Sequence, residues 1–211
     1  MFKRTREAVW NKYHRYAIFY DLDDVLFFGT KQKLRERVFE LANQKDKRLI
    51  LDLMIGTARS SLLFASKLEG AKIVGADFSS SMLKIADRKI KNKSYDNISL
   101  VRAHGEKLPF PDNTFDAVLC TFGLDAVYDP EPVVFEMKRV AKEWAPVLAA
   151  YKSYPTNEII GIADRVVKVY FTLFWFCGNV NLGPMFRRAG LKNIKEESYY
   201  FNMSKVIIGR K

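Results

Sequence analysis

Histidine and cysteine are nearly missing from this chain, with two of each in 211 residues. His14 and His104 lie far apart, and neither Cys120 nor Cys177 neighbours one of them, so no group has the spacing of a metal site. Both cysteines sit inside apolar runs, which predicts buried thiols in a reducing compartment. The chain also lacks a long apolar run. The most apolar stretch, Val169 to Cys177, falls well short of the roughly twenty residues that span a bilayer. Met1-Phe2-Lys3-Arg4 leads into a charged, tyrosine-rich segment rather than the apolar core of a signal peptide. No Gly-x-Ser-x-Gly elbow, phosphate loop or Asn/Asp-Pro-Pro-aromatic motif is present. These absences exclude metal-centred, serine-nucleophile and amino-group nucleic-acid methylase readings. Cys120 as a covalent nucleophile loses to Cys120 as a buried strand residue.

What is present is a hydrophobic fraction of 48% with 28% charged residues, the balance of a globular domain with a proper core. The net charge of +11 suits an anionic partner, a membrane surface or a nucleic acid, or else a solvated basic face. The centre of the chain is Leu49-Ile50-Leu51-Asp52-Leu53-Met54-Ile55-Gly56-Thr57-Ala58. An apolar run ending in a turn of mostly small residues reads as a buried parallel strand. Arg59 to Leu68 follows with apolar residues at helical spacing, and Ala71 to Asp77 is a second short strand ending in a carboxylate. Strand, turn, helix, and a strand with a terminal acid form the nucleotide-binding half of a doubly wound sheet. Backbone N–H groups in the turn can reach a ligand, and the acid can accept both hydroxyls of a ribose. Gly-x-Gly-x-x-Gly, which dinucleotide enzymes need, is not there.

The remainder alternates in the same way. Thr5 to Tyr20 and Lys31 to Leu41 are expected helices, the second with Leu34, Val38, Phe39 and Leu41 on one face and charge on the other. Ser79 offers an N-cap for a helix reaching about Lys91. Ile98 to Arg102, Phe115 to Cys120 and Pro146 to Tyr151 are expected strands, with a helix over Pro130 to Lys142. A short helix at Met185 to Ala189 and two antiparallel strands, 191–201 and 203–208, close the chain. The class is α/β: a doubly wound, mostly parallel seven-stranded sheet with an N-terminal helical cap. One domain covers 1–211, with the cap at 1–45 and an insert at 152–185.

Several of these stretches resemble one family. Asp52-x-Met54-x-Gly56-x-Ala58 resembles the Asp-x-Gly-x-Gly-x-Gly motif of class I S-adenosylmethionine (SAM) methyltransferases, with Met54 and Ala58 in place of the outer glycines. Ile73 to Leu83 and Leu108-Pro109-Phe110-Pro111-Asp112 through Val118 are similar to motifs of the type 11 methyltransferases, which include the ubiquinone/menaquinone-biosynthesis C-methyltransferases. So is the segment from Phe122-Gly123-Leu124 to Lys138-Arg139-Val140. Tyr16 to Phe28 resembles the start of bacterial phospholipid N-methyltransferases. The resemblance implies SAM, or its product S-adenosylhomocysteine (SAH), held by Asp52, Met54, Gly56, Thr57, Asp77, Phe78, Met82, His104, Gly105, Glu106, Thr121, Phe122 and Tyr20. Asp77 takes the ribose, or is an acid at a helix start. Phe78 and Met82 pack on adenine, or Met82 is core. Gly56 lies under the methionine moiety, and Thr121 and Phe122 face the sulfonium. His104 replaces the acid that bonds the adenine amino group, and Met54 narrows the methionine end. No catalytic residue is assigned.

The resemblance implies methyl transfer to a small hydrophobic or amphiphilic acceptor, quinone-like or lipid-like. The alternatives are a degenerate partner subunit without catalysis, for which Met54, Ala58 and His104 speak, and an RNA methyltransferase, for which only the charge speaks; nucleic acid is the less favoured partner. Tyr13, Tyr16 and Tyr20 either line the cationic centre or pack the cap. The expected location is cytoplasmic, with peripheral membrane contact through Ile159 to Cys177 and its flanking Lys152, Arg165 and Lys168 left open, as is a homodimer.

Overall fold

A computed structural model of the chain describes residues 30–42, 49–68, 70–153, 180–200 and 202–211. The expected N-terminal helix with Tyr13, Tyr16 and Tyr20, the expected insert from Ile159 to Cys177, and Cys177 itself lie outside the described residues.

The described residues form one seven-stranded sheet in the order β3-β2-β1-β4-β5-β7-β6. Its strands are β1 (Leu49–Leu53), β2 (Lys72–Asp77), β3 (Ile98–Arg102), β4 (Ala117–Thr121), β5 (Pro146–Lys152), β6 (Lys192–Tyr199) and β7 (Ser204–Arg210). The first five pair in parallel, and β7 runs antiparallel to both β5 and β6. The helices are α1 (Thr30–Ala42), α2 (Arg59–Ala65), α3 (Ser80–Asn92), α4 (Glu131–Val140) and α5 (Leu182–Arg188). Strands β4 and β5 are buried runs, as sheet strands covered on both faces must be. Pro146 opens β5, where its missing N–H costs nothing.

Alternation along each strand divides the core in two. Leu51, Leu53, Val118, Cys120, Val147 and Ala149 meet α4 and α5, whereas Ile50, Ile73, Leu119, Leu148 and Ala150 meet α1 and α3. The inward stripe of α1 is Lys31, Leu34, Arg35, Val38, Phe39 and Ala42, a helical period that includes two cations. The expectation that charge stays on its outer face is therefore corrected: Lys31 and Arg35 occupy the same stripe as Leu34 and Val38. Arg37 ties α1 to β6 through two bonds to Glu197, at 2.8 and 2.6 Å.

Element ends differ from expectation where local chemistry intervenes. Helix α5 starts at Leu182, because Pro184 is tolerated within its first turn. Helix α2 stops at Ala65, and β6 stops at Tyr199 before Tyr200 and Asn202, both left-handed. Strand β4 starts at Ala117, while Phe115 makes only an isolated bridge to Ala141. The strand order reverses between β1 and β4, where Asp52 pairs with Leu119. A crevice outside the carboxyl ends of the strands at such a reversal is the binding place of open α/β sheets.

Candidate active site

The turn after β1 keeps the backbone of a glycine motif without its outer glycines. Met54, Gly56 and Ala58 all adopt left-handed φ, at 56°, 56° and 66°. For residues with a Cβ this conformation costs about 1–2 kcal/mol each, so surrounding contacts must hold it. Those contacts are visible. Gly56 N–H donates to Asp77 Oδ2 at 2.9 Å, and Ile55 N–H donates to the Ala76 carbonyl at 3.1 Å. Ser60 and Ser61 at the start of α2 bind the sheet: Ser60 Oγ lies 2.6 Å from Thr121 Oγ1, and Ser61 donates to Asp52 Oδ2 at 2.7 Å.

The Met54 side chain crosses the switch point. A Cβ on Gly123 would lie 2.7 Å from Met54 Cβ and Sδ, and one on Gly105 would lie 2.9 Å from Met54 Cε. The thioether therefore spans from the loop after β4 to the loop after β3, and both loops need glycine beside it. Motif reasoning located Met54 but gave no direction for its side chain, since that depends on the left-handed φ.

Asp77 ends β2 with its carboxylate buried. Its second oxygen accepts from Ser79 N–H at 2.9 Å. Burial pushes its carboxyl up, opposed by the backbone N–H groups of Ser79, Gly56 and Phe78. Ser79 also caps α3, accepting from Met82 N–H at 3.3 Å, and Met82 itself is buried. Asp52 is buried at the end of β1, and burial raises its carboxyl to about 7 against the Ser61 hydrogen bond and the charge of Arg35. Its Oδ1 has no hydrogen-bond partner.

At the β3 side, exposed His104 stacks on half-buried Phe78, with centroids 6.0 Å apart and an interplanar angle of 20°. His104 to Lys107 is a tight turn, the Lys107 N–H donating to the His104 carbonyl at 3.0 Å. Gly105 and Glu106 on it are half-buried. The following loop is clamped to α4: Leu108 N–H donates to Glu136 at 2.7 Å, and Arg139 donates to the carbonyls of Leu108 and Phe110 and to Asp112. This gives the Leu-Pro-Phe-Pro-Asp stretch a structural task, holding the loop that carries residues 104–106.

At the β4 side, Thr121 is half-buried and Phe122 is buried with φ 59°, its N–H on the Ala150 carbonyl at 2.7 Å. Lys31 and Arg35 of α1 stand over the Phe122 ring, 5.8 and 5.6 Å from its centroid. Sequence reasoning missed both, although their helical spacing with Leu34 and Val38 was the available signal. Cys120 is buried and burial pushes its thiol up, which suits a strand residue and not a nucleophile.

The structure thus brings together Asp52, Met54, Gly56, Thr57, Asp77, Phe78, Met82, His104, Gly105, Glu106, Thr121 and Phe122 at the carboxyl ends of β1 to β4. Tyr20 lies outside the described residues. A surface depression lined by Leu68, Lys72, Tyr95 and Asn97 lies at the opposite end of the sheet, remote from these groups.

Comparison with known proteins gives this arrangement a family. The model of the ubiE/COQ5 methyltransferase family matches residues 1–180. A demethylmenaquinone methyltransferase of Geobacillus sp. (strain WCH70) is 30% identical over the whole of both chains. That of Bacillus subtilis (strain 168) is 30% identical over 93% of each. Among solved structures, a SAM-dependent methyltransferase of Thermotoga maritima, described as a possible histamine N-methyltransferase, covers 96% of this chain and 99% of its own, with a TM-score of 0.71 at 20% identity. A putative methyltransferase of Bacillus halodurans C-125 covers 84% and 98%, with a TM-score of 0.68 at 17% identity. These two share the fold. The chain belongs to the ubiE/COQ5 methyltransferase family and is a SAM-dependent methyltransferase.

Proposed function

We propose that the chain transfers the methyl group of SAM to a ring carbon of a quinone-like acceptor in its reduced form. The observation that carries this reading is the full-length match to enzymes named demethylmenaquinone methyltransferases. The cofactor supplies an electrophilic methyl group on a sulfonium. The protein's part is to bind, align and exclude water, which suffices for a direct displacement.

The residues fit the cofactor. The Asp77 carboxylate at the end of β2 suits the hydroxyls of a ribose, while its bonds to Gly56 and Ser79 fix its direction. The buried Oδ1 of Asp52, without a partner, suits the ammonium of the amino-acid moiety. Phe78, Met82 and His104 offer ring and thioether surface for adenine. Thr57, Gly105, Glu106, Thr121 and Phe122 are the further proposed contacts, with Tyr20 added on the family resemblance alone. Met54 and Ala58 are compatible with it, because the turn holds the left-handed backbone that glycine would give. This disfavours the degenerate-subunit reading, and net charge alone does not support an RNA acceptor.

The chain is one domain in this reading, with 1–45 and 152–185 covering the acceptor. No helix among the described residues is long and apolar enough to cross a membrane. Peripheral contact through Ile159 to Cys177 is the corresponding proposal for a lipid-like acceptor, tested by co-sedimentation with anionic and neutral vesicles. The substrate test is incubation with reduced demethylmenaquinone and methyl-labelled SAM. Label recovered in a product heavier by one methyl group supports the reading. A folded, SAH-binding protein that transfers none refutes this acceptor.

A further inference from the structure

Two prolines decide how the chain runs on after β3. Pro109 and Pro111 carry no N–H, so Leu108-Pro109-Phe110-Pro111 cannot donate as a strand would, and the residue before each proline is held extended. In an extended chain alternate carbonyls face the same way, and those of Leu108 and Phe110 both need a donor. Arg139 of α4 supplies both, Nη2 donating to the Leu108 carbonyl at 3.1 Å and Nη1 to that of Phe110 at 2.8 Å. The exposed Asp112 also accepts from Nη1, at 2.7 Å. The Leu108 N–H donates to Glu136 Oε2 at 2.7 Å, and Glu136 closes the pair by accepting from Arg139 Nε and Nη2 at 2.6 and 2.9 Å. That bond holds the Glu136 carboxyl below its usual range, so the pair stays ionised at neutral pH.

The same helix reaches the start of this stretch. A Cβ on Gly105 would lie 3.2 Å from Val133 Cγ1, so Val133, Glu136 and Arg139, at steps of three along α4, follow the chain from Gly105 to Phe110. At the near end, the Ala103 N–H donates to the Asp77 carbonyl at 3.1 Å, and His104 beside it stacks on Phe78. Between the two ends the Lys107 N–H donates to the His104 carbonyl at 3.0 Å. A shift at Leu108 therefore moves Lys107 directly and His104 through it. The far end is fixed further by the buried Leu108 side chain and by Phe110, edge-on to Phe115 at 5.0 Å.

We propose that Arg139, holding Leu108 and Phe110 together with Glu136, is a positioning residue that sets the turn at 104–107 for the adenine end of the cofactor. This rests on the cofactor lane proposed above. Arg139 acts through Leu108 and Lys107 and does not itself meet the ligand. With the latch closed, the turn is ordered before the ligand arrives, and no ordering cost is charged to binding. With the latch removed, the turn samples several arrangements, and affinity falls in proportion to the time spent in the fitting one. Lysine is no substitute, because one ammonium cannot span two carbonyls and a carboxylate as the planar fork does.

The test is calorimetric titration of wild type, Arg139→Gln and Arg139→Lys, each as the full chain, with SAH and with methylthioadenosine. The second ligand keeps the nucleoside and lacks the amino-acid moiety. Arg139→Gln should lose at least tenfold in affinity for both ligands, by the same factor within threefold, and Arg139→Lys at least threefold for both. A change below threefold for SAH in Arg139→Gln, whatever its melting temperature, would leave the pair a stability device and overturn the proposal. So would a loss for SAH alone, which would put the effect at the amino-acid end. Should the variants not fold, hydrogen exchange on the wild type carries the test. SAH at a hundredfold excess over its Kd should slow exchange of the Leu108 amide at least tenfold, and unchanged exchange overturns the proposal. Asp77→Ala, titrated alongside, keeps the two readings apart. SAH affinity lost there but retained in Arg139→Gln refutes the positioning role alone, and affinity retained in Asp77→Ala refutes the cofactor's place.

Discussion

Replacing Met54 by glycine probes the unusual turn after β1 directly. Two backbone effects oppose one another. At φ 56° a methionine carries a conformational cost of about 1–2 kcal/mol that glycine does not. Glycine loses about 0.5–1 kcal/mol more backbone entropy on folding. Their sum leaves the variant with a gain of about 0–1.5 kcal/mol. Against this stands the thioether packed between Gly105 and Gly123. A fully buried methionine side chain contributes about 1.5–3 kcal/mol, and Met54 is only half-buried, so roughly 1–2 kcal/mol is lost. The net destabilisation is about 1 kcal/mol, which lowers Tm by roughly 2–4 °C in a chain of this size. SAH affinity should be equal or better, because the lane between the β3 and β4 loops widens. Thermal melts by circular dichroism and calorimetric titration with SAH measure the two quantities. A loss of SAH affinity beyond tenfold, with the fold intact, would refute this reasoning and make Met54 a ligand contact.

Three further outcomes follow from the same geometry. Gly123→Ala places a Cβ 2.7 Å from Met54 and 2.8 Å from Cys120 Sγ, and should cost about 1–3 kcal/mol in urea unfolding. In the Met54→Gly background the cost should fall by at least about 0.5 kcal/mol, and strict additivity would show that the two residues do not meet. Asp52 has a folded-state carboxyl raised to about 7 from 3.8, so the native state binds the extra proton between those values. Its contribution is complete below pH 4 and is lost as pH rises to 7. Asp52→Asn should therefore gain stability relative to wild type at pH 8 compared with pH 5, and a pH-independent difference in melts would contradict the assignment. Tyr151 on β5 donates from a buried hydroxyl to Glu196 on β6, so Tyr151→Phe should cost about 1.5–3 kcal/mol, and a loss under about 0.5 kcal/mol in urea would mean the bond contributes little.

The fold was legible because its signals are local and repeated. Buried runs such as Ala117–Thr121 and Pro146–Lys152, helix stops such as Gly190, and the Ser79 cap declare themselves over a few residues. Gly56 and Asp77, the two ends of the proposed cofactor lane, were singled out by motif spacing, and the bond between them joins the ends of two strands the sequence already paired. What stayed hidden was direction. Nothing in the identity of Met54 says that it keeps a glycine-like φ or sends its thioether across Gly123, because neighbouring strands hold the turn. The buried cations of α1 were hidden for a different reason. A lysine and an arginine among other charges read as solvated, and only their register with Leu34 and Val38 places them inward.

The central claim is that the cofactor lies between the Gly56 turn and Asp77, and calorimetric titration of SAH into wild type and Asp77→Ala tests it most directly. The predicted result is binding in the micromolar range for wild type. The variant, still folded, should lose at least tenfold, since each hydrogen bond from a ribose hydroxyl to a carboxylate is worth about 1.5–3 kcal/mol. No heat with wild type, or a change below threefold in the variant, would contradict the account.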